Sequence, residues 1–130
     1  ELSRRARGLP SYAILRTLGR DGLRDMVLQH CQQAASVAAA LSAIDGITVL
    51  NDVECNQVSY YCGDASQREI VTPQVLQIVQ DAGRVYPSHG EWRGGAIIRV
   101  SVIAHSTTDA DIAELIAAIT SAWAAVSQTV

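Results

Sequence analysis

Ala96-Ile-Ile-Arg-Val-Ser-Val-Ile-Ala104 is the most strand-like run in the chain, dense in β-branched residues and bounded by Gly94-Gly95 and Ser106-Thr107. Side chains alternate along a strand, so Ile98, Val100, Val102 and Ala104 share one face, and Ile97, Arg99, Ser101 and Ile103 the other. The first face is purely apolar and demands a dry partner. The second carries a guanidinium, which is rarely buried without a counter-group. The run therefore predicts a strand covered by helices on one side, with its Arg99 side turned toward another surface.

Around that strand, 130 residues supply one domain with a real core. A hydrophobic content of 48% with 18% charged residues reads as globular. The net charge of −3 gives no electrostatic case for nucleic acid or an anionic membrane surface. No apolar run reaches the roughly 18 residues of a bilayer span. The start, Glu1-Leu-Ser-Arg-Arg-Ala-Arg7, has neither an initiator Met nor a signal-peptide core, and is expected to be interior to a longer chain. Its basic cluster, Arg4, Arg5 and Arg7, suits a solvated or interdomain face.

Cys31, Cys55 and Cys62 are odd in number and form no CxxC pair, which suits packing thiols in a reducing, cytoplasmic setting. No metal site is expected, because Cys31, Cys55, Cys62, His30, His89 and His105 lack the close-spaced pairs of structural zinc sites. All ten basic residues are arginine. With no lysine, no side-chain Schiff base can form within this chain.

Leu9-Pro10 opens a helical stretch carrying Tyr12, Ile14, Leu15 and Leu18, and Gly19 interrupts it. Asp21 is a candidate N-cap for a longer helix to about Ile44. Its stripe is Leu23, Met26, Val27, His30, Ala34, Val37, Ala38, Leu41 and Ile44, closed by Asp45-Gly46. His30 in this stripe reads as a packed or boundary histidine. Ile47 to Asp52 and Asn56 to Cys62 read as strands, and Gly63 to Glu69 as a polar loop. Thr72-Pro73 predicts the start of a helix that Gly83 ends. Val85 to Pro87 begins an extended segment, and Ser88 to Gly95 reads as a turn into the organising strand. Thr108 with Asp111 approximates a capping box for a last helix, whose stripe is Ile112, Leu115, Ile116, Ile119, Trp123 and Val126. The fold class is α+β. A long N-terminal helical segment (1–46) leads into a small, mostly antiparallel sheet (47–130) with helices on one face.

Ser3-Arg-Arg-Ala-Arg-Gly-Leu-Pro10 and Leu15-Arg-Thr-Leu-Gly-Arg-Asp-Gly-Leu23 resemble the segment that follows the cofactor lysine in group II pyridoxal-phosphate-dependent amino-acid decarboxylases. Val49-Leu-Asn-Asp-Val53 and Asn56-Gln-Val58 resemble the strands that come next. Trp92-Arg-Gly94, Ile98-Arg-Val-Ser-Val102 and Thr107-Thr-Asp-Ala-Asp-Ile112 resemble its C-terminal signature. The resemblance runs from Glu1 to about Val126 and implies the C-terminal small domain of a fold type I enzyme. The pyridoxal phosphate, its Schiff-base lysine and the remaining catalytic groups would belong to a large domain outside this chain. No catalytic, cofactor-binding or metal residue is then expected here. The resemblance makes Arg99 the residue that holds the substrate's α-carboxylate, and its partners an amino-acid substrate, the large domain and a second copy in a homodimer. Ala104 and His105 depart from the aromatic residue and asparagine common in relatives at this point.

Two readings stay open for Arg99: carboxylate binding, or an ion pair or exposed position on the sheet. His105 either lines the site or sits in a wet turn, while His89 and Trp92 flank the strand's entry. The alternative for the whole chain is a free-standing α+β regulatory or dimerisation module that binds an amino acid or another small carboxylate.

Overall fold

A computed structural model describes residues 6 and 8–129. The basic cluster at Arg4, Arg5 and Arg7, and most of the Ser3 to Arg7 stretch of the family resemblance, lie outside the described residues.

The elements follow the expected order: α1 (Gly8–Ser42), β1 (Ile47–Val49), β2 (Gln57–Cys62), α2 (Arg68–Asp81), β3 (Ser88–Trp92), β4 (Gly95–Ser101) and α3 (Asp109–Ser127). The strands form one antiparallel sheet in the order β1-β2-β4-β3, which places β4 between two partners. The helices cover one face of the sheet, and Val58, Tyr60, Cys62, Ile98, Val100 and Val102 project into the core beneath them. From the helices come Ala34, Val37 and Leu41 of α1, Val71, Val75 and Val79 of α2, and Ile112, Leu115, Ile119 and Val126 of α3.

α1 breaks where expected. Gly19 takes φ 63° and ψ −171°, a left-handed, non-helical conformation that favours glycine. Beyond it His30, Gln33, Ala34, Val37 and Leu41 are buried, whereas the half before it is exposed throughout. Gly46, at φ 79°, turns the chain into β1, and a Cβ there would stand 2.3 Å from the Trp123 ring. Trp123 Nε1 donates to the Asp45 carbonyl at 2.8 Å, so the end of α3 is fastened over this turn.

α3 opens with a complete capping box between Thr108 and Asp111. By length and composition this helix of 19 residues is apolar enough to cross a membrane, contrary to the expectation that no such run exists. Its Ile112, Leu115, Ile119, Ala122 and Val126 stripe instead lies in the core.

Four boundaries differ from the sequence expectation. β1 stops at Val49 because Asn51 replaces the ladder with its side chain: Oδ1 accepts from Ser59 N at 2.8 Å and Nδ2 donates to the Gln57 carbonyl at 3.1 Å. α2 begins at Arg68, ahead of Thr72-Pro73. Asp64 starts it by accepting from Ser66 N at 2.8 Å and Gln67 N at 3.0 Å. Buried Thr72 bonds the end of β2 instead, its Oγ1 accepting from Cys62 N at 3.1 Å, so Pro73 sits inside the helix.

Ser88 to Gly95 is a hairpin arm and its reversal. Arg93 (φ 52°) and Gly94 (φ 76°) make a two-residue turn with both φ positive, the form whose twist matches paired strands. β4 ends at Ser101, short of Ala104, where the chain leaves the sheet toward α1. Ala104 is therefore exposed rather than packed with Ile98, Val100 and Val102.

Candidate functional site

Arg99 occupies the middle of a sheet row. Ser59 of β2 and Ser88 of β3 are its direct partners on either side, so the three side chains share the face opposite the helices. Directly opposed residues stand with Cβ atoms about 5 Å apart, which puts a hydroxyl on each flank of the guanidinium. Arg99 is exposed, and among the described residues no salt bridge or hydrogen bond engages its guanidinium, while its carbonyl accepts from Ser88 Oγ at 3.3 Å. The structure thus excludes an ion pair with a described acidic residue of its own domain. A planar guanidinium in this position has its full fork of donors available for a carboxylate.

The rest of that face is less open than the alternation suggested. Ile97 is only 4% exposed, because its side chain lies over Gly90, its partner on β3, where a Cβ would stand 3.1 Å from Ile97 Cγ1. Tyr61 and Trp92 complete this apolar corner, with the Arg68 guanidinium 4.7 Å from the Tyr61 ring centroid. The open face is therefore divided, with an apolar corner around buried Ile97 at one end and Arg99 between serines at the other.

Past β4, the segment after Ser101 is fixed from both sides. Asn56 Nδ2 donates to the Val102 carbonyl at 2.9 Å. His30, buried as expected for a packed histidine, places Nε2 3.1 Å from the Ala104 carbonyl. Gln33 Nε2 donates to the Thr107 carbonyl and to Asp109 Oδ1, both at 3.2 Å. These helix residues set the path of the strand's exit. Only His30 stood out in the sequence, because a glutamine in an apolar stripe carries no signal of its partner.

Ile103 and His105 are exposed and line a cleft of about 470 Å³, whose other wall is Ile14, Leu18 and Met26 of α1. His105 thus sits in a turn and also borders this apolar cleft. His89 points to the helix side of edge strand β3 but is exposed, and Trp92 is 42% exposed on the Arg99 side. Among the described residues, no group of three His, Cys, Asp or Glu side chains is gathered to hold a metal.

This α+β domain matches solved structures over almost its whole length. Catharanthus roseus tryptophan decarboxylase, solved with L-tryptophan, superposes with a TM-score of 0.81 at 20% identity, covering 95% of this chain and 26% of that one. Rhodiola rosea 4-hydroxyphenylacetaldehyde synthase gives a TM-score of 0.84 at 17% identity, over 96% of this chain and 28% of that one. Lactobacillus brevis glutamate decarboxylase gives 0.77 at 20% identity, over 90% and 27%. The fold is that of the C-terminal domain of group II pyridoxal-phosphate-dependent decarboxylases.

In sequence, the chain is 35% identical over 108 residues to a probable glycine dehydrogenase (decarboxylating) subunit 1 of Novosphingobium aromaticivorans, covering 81% of this chain and 23% of that protein. The chain spans about a quarter of the length of these relatives. No protein-family model matches it. The chain contains no lysine, so none of its side chains can hold an aldehyde cofactor as a Schiff base.

Proposed function

We propose that this chain is the C-terminal domain of a pyridoxal-phosphate-dependent enzyme that removes the α-carboxylate of an amino acid, and that Arg99 holds that carboxylate. The observation that carries the proposal is Arg99 itself, exposed between Ser59 and Ser88 on the one sheet face the helices leave bare. A large domain bearing the lysine and cofactor would close over this face, and the cofactor would supply an electron sink for the electron pair left when carbon dioxide departs. Arg99 would bind through two parallel hydrogen bonds, and the dry surroundings of a closed site would strengthen them. Paired copies would shield the exposed half of α1. Alone, this domain would be inactive.

The sequence relative favours one substrate in particular. Its 35% identity exceeds that of the solved decarboxylases, and it bears the name of a glycine-decarboxylating enzyme. Glycine is thus the second reading, and it needs the same carboxylate grip with no side-chain pocket.

The test is release of carboxyl carbon from labelled glycine, aromatic and acidic amino acids by the intact cofactor-loaded protein, with and without an electron acceptor. Release from one class, lost in Arg99→Ala, is the expected result. Amino-group transfer without carboxyl release overturns the proposal. A carboxylate-binding protein without cofactor chemistry would instead bind amino acids and show no cofactor absorbance.

A further inference from the structure

The two serines beside Arg99 are not equivalent. Both backbone groups of Ser59 face the β1 side: its carbonyl accepts from Leu50 N and its N–H donates to Asn51 Oδ1, each at 2.8 Å. Neither is turned toward β4, so Ser59 and Arg99 form a non-hydrogen-bonded antiparallel pair. Across such a pair the Cα atoms stand about 4.5 Å apart and the side chains are at their closest, against about 5.5 Å across a hydrogen-bonded pair. The same alternation turns the Arg99 backbone toward β3 and makes Ser88 the wider neighbour, whose hydroxyl is already committed to the Arg99 carbonyl at 3.3 Å. The half-buried Ser59 has a hydroxyl that makes no hydrogen bond among the described residues. Asn51 holds its backbone in place, since Nδ2 donates to the Gln57 carbonyl at 3.1 Å while Oδ1 accepts from Ser59 N.

We propose that Ser59 is a second binding residue for the carboxylate that Arg99 holds, its hydroxyl donating to the carboxylate oxygen nearer β2. The inference rests on the carboxylate role of Arg99. A carboxylate offers about four acceptor sites, two on each oxygen, and a guanidinium fork bound through two parallel bonds fills one on each. Once the face is closed from water, the remaining sites need donors from the protein, because a buried acceptor left unpaired is destabilising. Ser59 is the closer of the two serines across the sheet and the one whose proton is uncommitted, so it meets an anion drawn in beside the Arg99 stem. A neutral hydroxyl makes one bond where the fork makes two, so its contribution is the smaller.

Dissociation constants are measured before turnover on the intact cofactor-loaded protein for three matched pairs: glycine with methylamine, L-tryptophan with tryptamine, and L-glutamate with 4-aminobutyrate. Each amine is its amino acid without the α-carboxylate. Ser59→Ala should weaken the amino acid that wild type binds best roughly tenfold and leave its amine unchanged. Ser59→Thr keeps a hydroxyl on a stem suited to a strand and should restore most of that loss. In an Arg99→Ala background, Ser59→Ala should weaken the amino acid less than twofold, because the anion is no longer held beside it. A carboxylate preference lost in Arg99→Ala but kept in Ser59→Ala overturns the role of Ser59 and leaves that of Arg99 standing. So does equal weakening of acid and amine by Ser59→Ala, a full loss that persists in the Arg99→Ala background, or a failure of threonine to rescue. If Arg99→Ala does not discriminate acid from amine, or wild type prefers none of the three acids to its amine, the reading of Arg99 falls and that of Ser59 with it.

Discussion

The Arg68 side chain extends the sheet where the chain no longer can: its Nε donates to the Ala96 carbonyl at 2.7 Å. The same guanidinium donates to the Gly95 carbonyl at 2.8 Å and to the Trp92 carbonyl at 3.1 Å. Glu69 Oε1, one residue on, accepts from Ala96 N at 2.8 Å. The first turn of α2 thus bonds the start of β4 as a strand would. Arg68→Ala should cost about 1–3 kcal/mol in denaturant unfolding, as carbonyls of the hairpin lose a charged donor. Gly95 is coupled to it, since a Cβ there would lie 2.4 Å from the Arg68 guanidinium carbon. Gly95→Ala should therefore cost clearly less in an Arg68→Ala background, and additive costs would refute the coupling.

Tyr60 is fully buried, and its hydroxyl has no hydrogen-bond partner among the described residues. Burial drives its pKa well above the usual tyrosine range. Tyr60→Phe removes an unsatisfied buried group and should raise stability by about 1 kcal/mol in thermal or urea unfolding. A destabilised variant would mean that the hydroxyl is bonded after all.

Asp111 closes the capping box, and hydrogen bonds from the Thr108 backbone and hydroxyl hold its carboxyl below the ordinary carboxylate pKa. A depressed folded-state pKa contributes stability above the unfolded value and loses it as pH falls through the folded one. Asp111→Asn should therefore lower the Tm at neutral pH, with the gap closing below about pH 4. Asp64 is lowered too, by Ser66 and Gln67, and titrates in the same window in both proteins, so the comparison isolates Asp111. A gap independent of pH would count against the carboxylate.

Leu9, Tyr12, Ile14 and Leu15 are each more than half exposed on the first half of α1. Such a stripe favours association in water. The isolated chain should sediment as a concentration-dependent oligomer, and Ile14→Glu with Leu15→Glu should return it to a monomer without loss of helical signal. A strict monomer at high concentration contradicts this.

The element order and the core stripes were legible because period-2 and period-3.6 patterns were strong, as in Ile98, Val100 and Val102 or Ile112, Leu115 and Ile119. Gly19 and the Thr108 capping box were legible as local chemistry. What escaped notice depends on side chains acting at a distance. Asn51 ends β1 by imitating a strand, Thr72 serves β2 instead of capping α2, and Arg68 and Glu69 complete β4 from a stretch that reads as loop. Of the candidate site, Arg99 was visible as a charge in an apolar strand. Its flanking serines were not, because register between strands is set by the sheet as a whole.

The central claim concerns what Arg99 holds, and paired binding measurements on the intact cofactor-loaded protein test it most directly. An amino-acid substrate is compared with the amine that remains once its carboxylate is gone, in wild type and in Arg99→Ala. Because Arg99 is exposed, the substitution should leave the Tm unchanged. It should weaken the amino acid by roughly 10- to 150-fold, the equivalent of a lost charged hydrogen bond, and leave the amine unaffected. Equal weakening of both ligands, or of neither, would contradict the assignment.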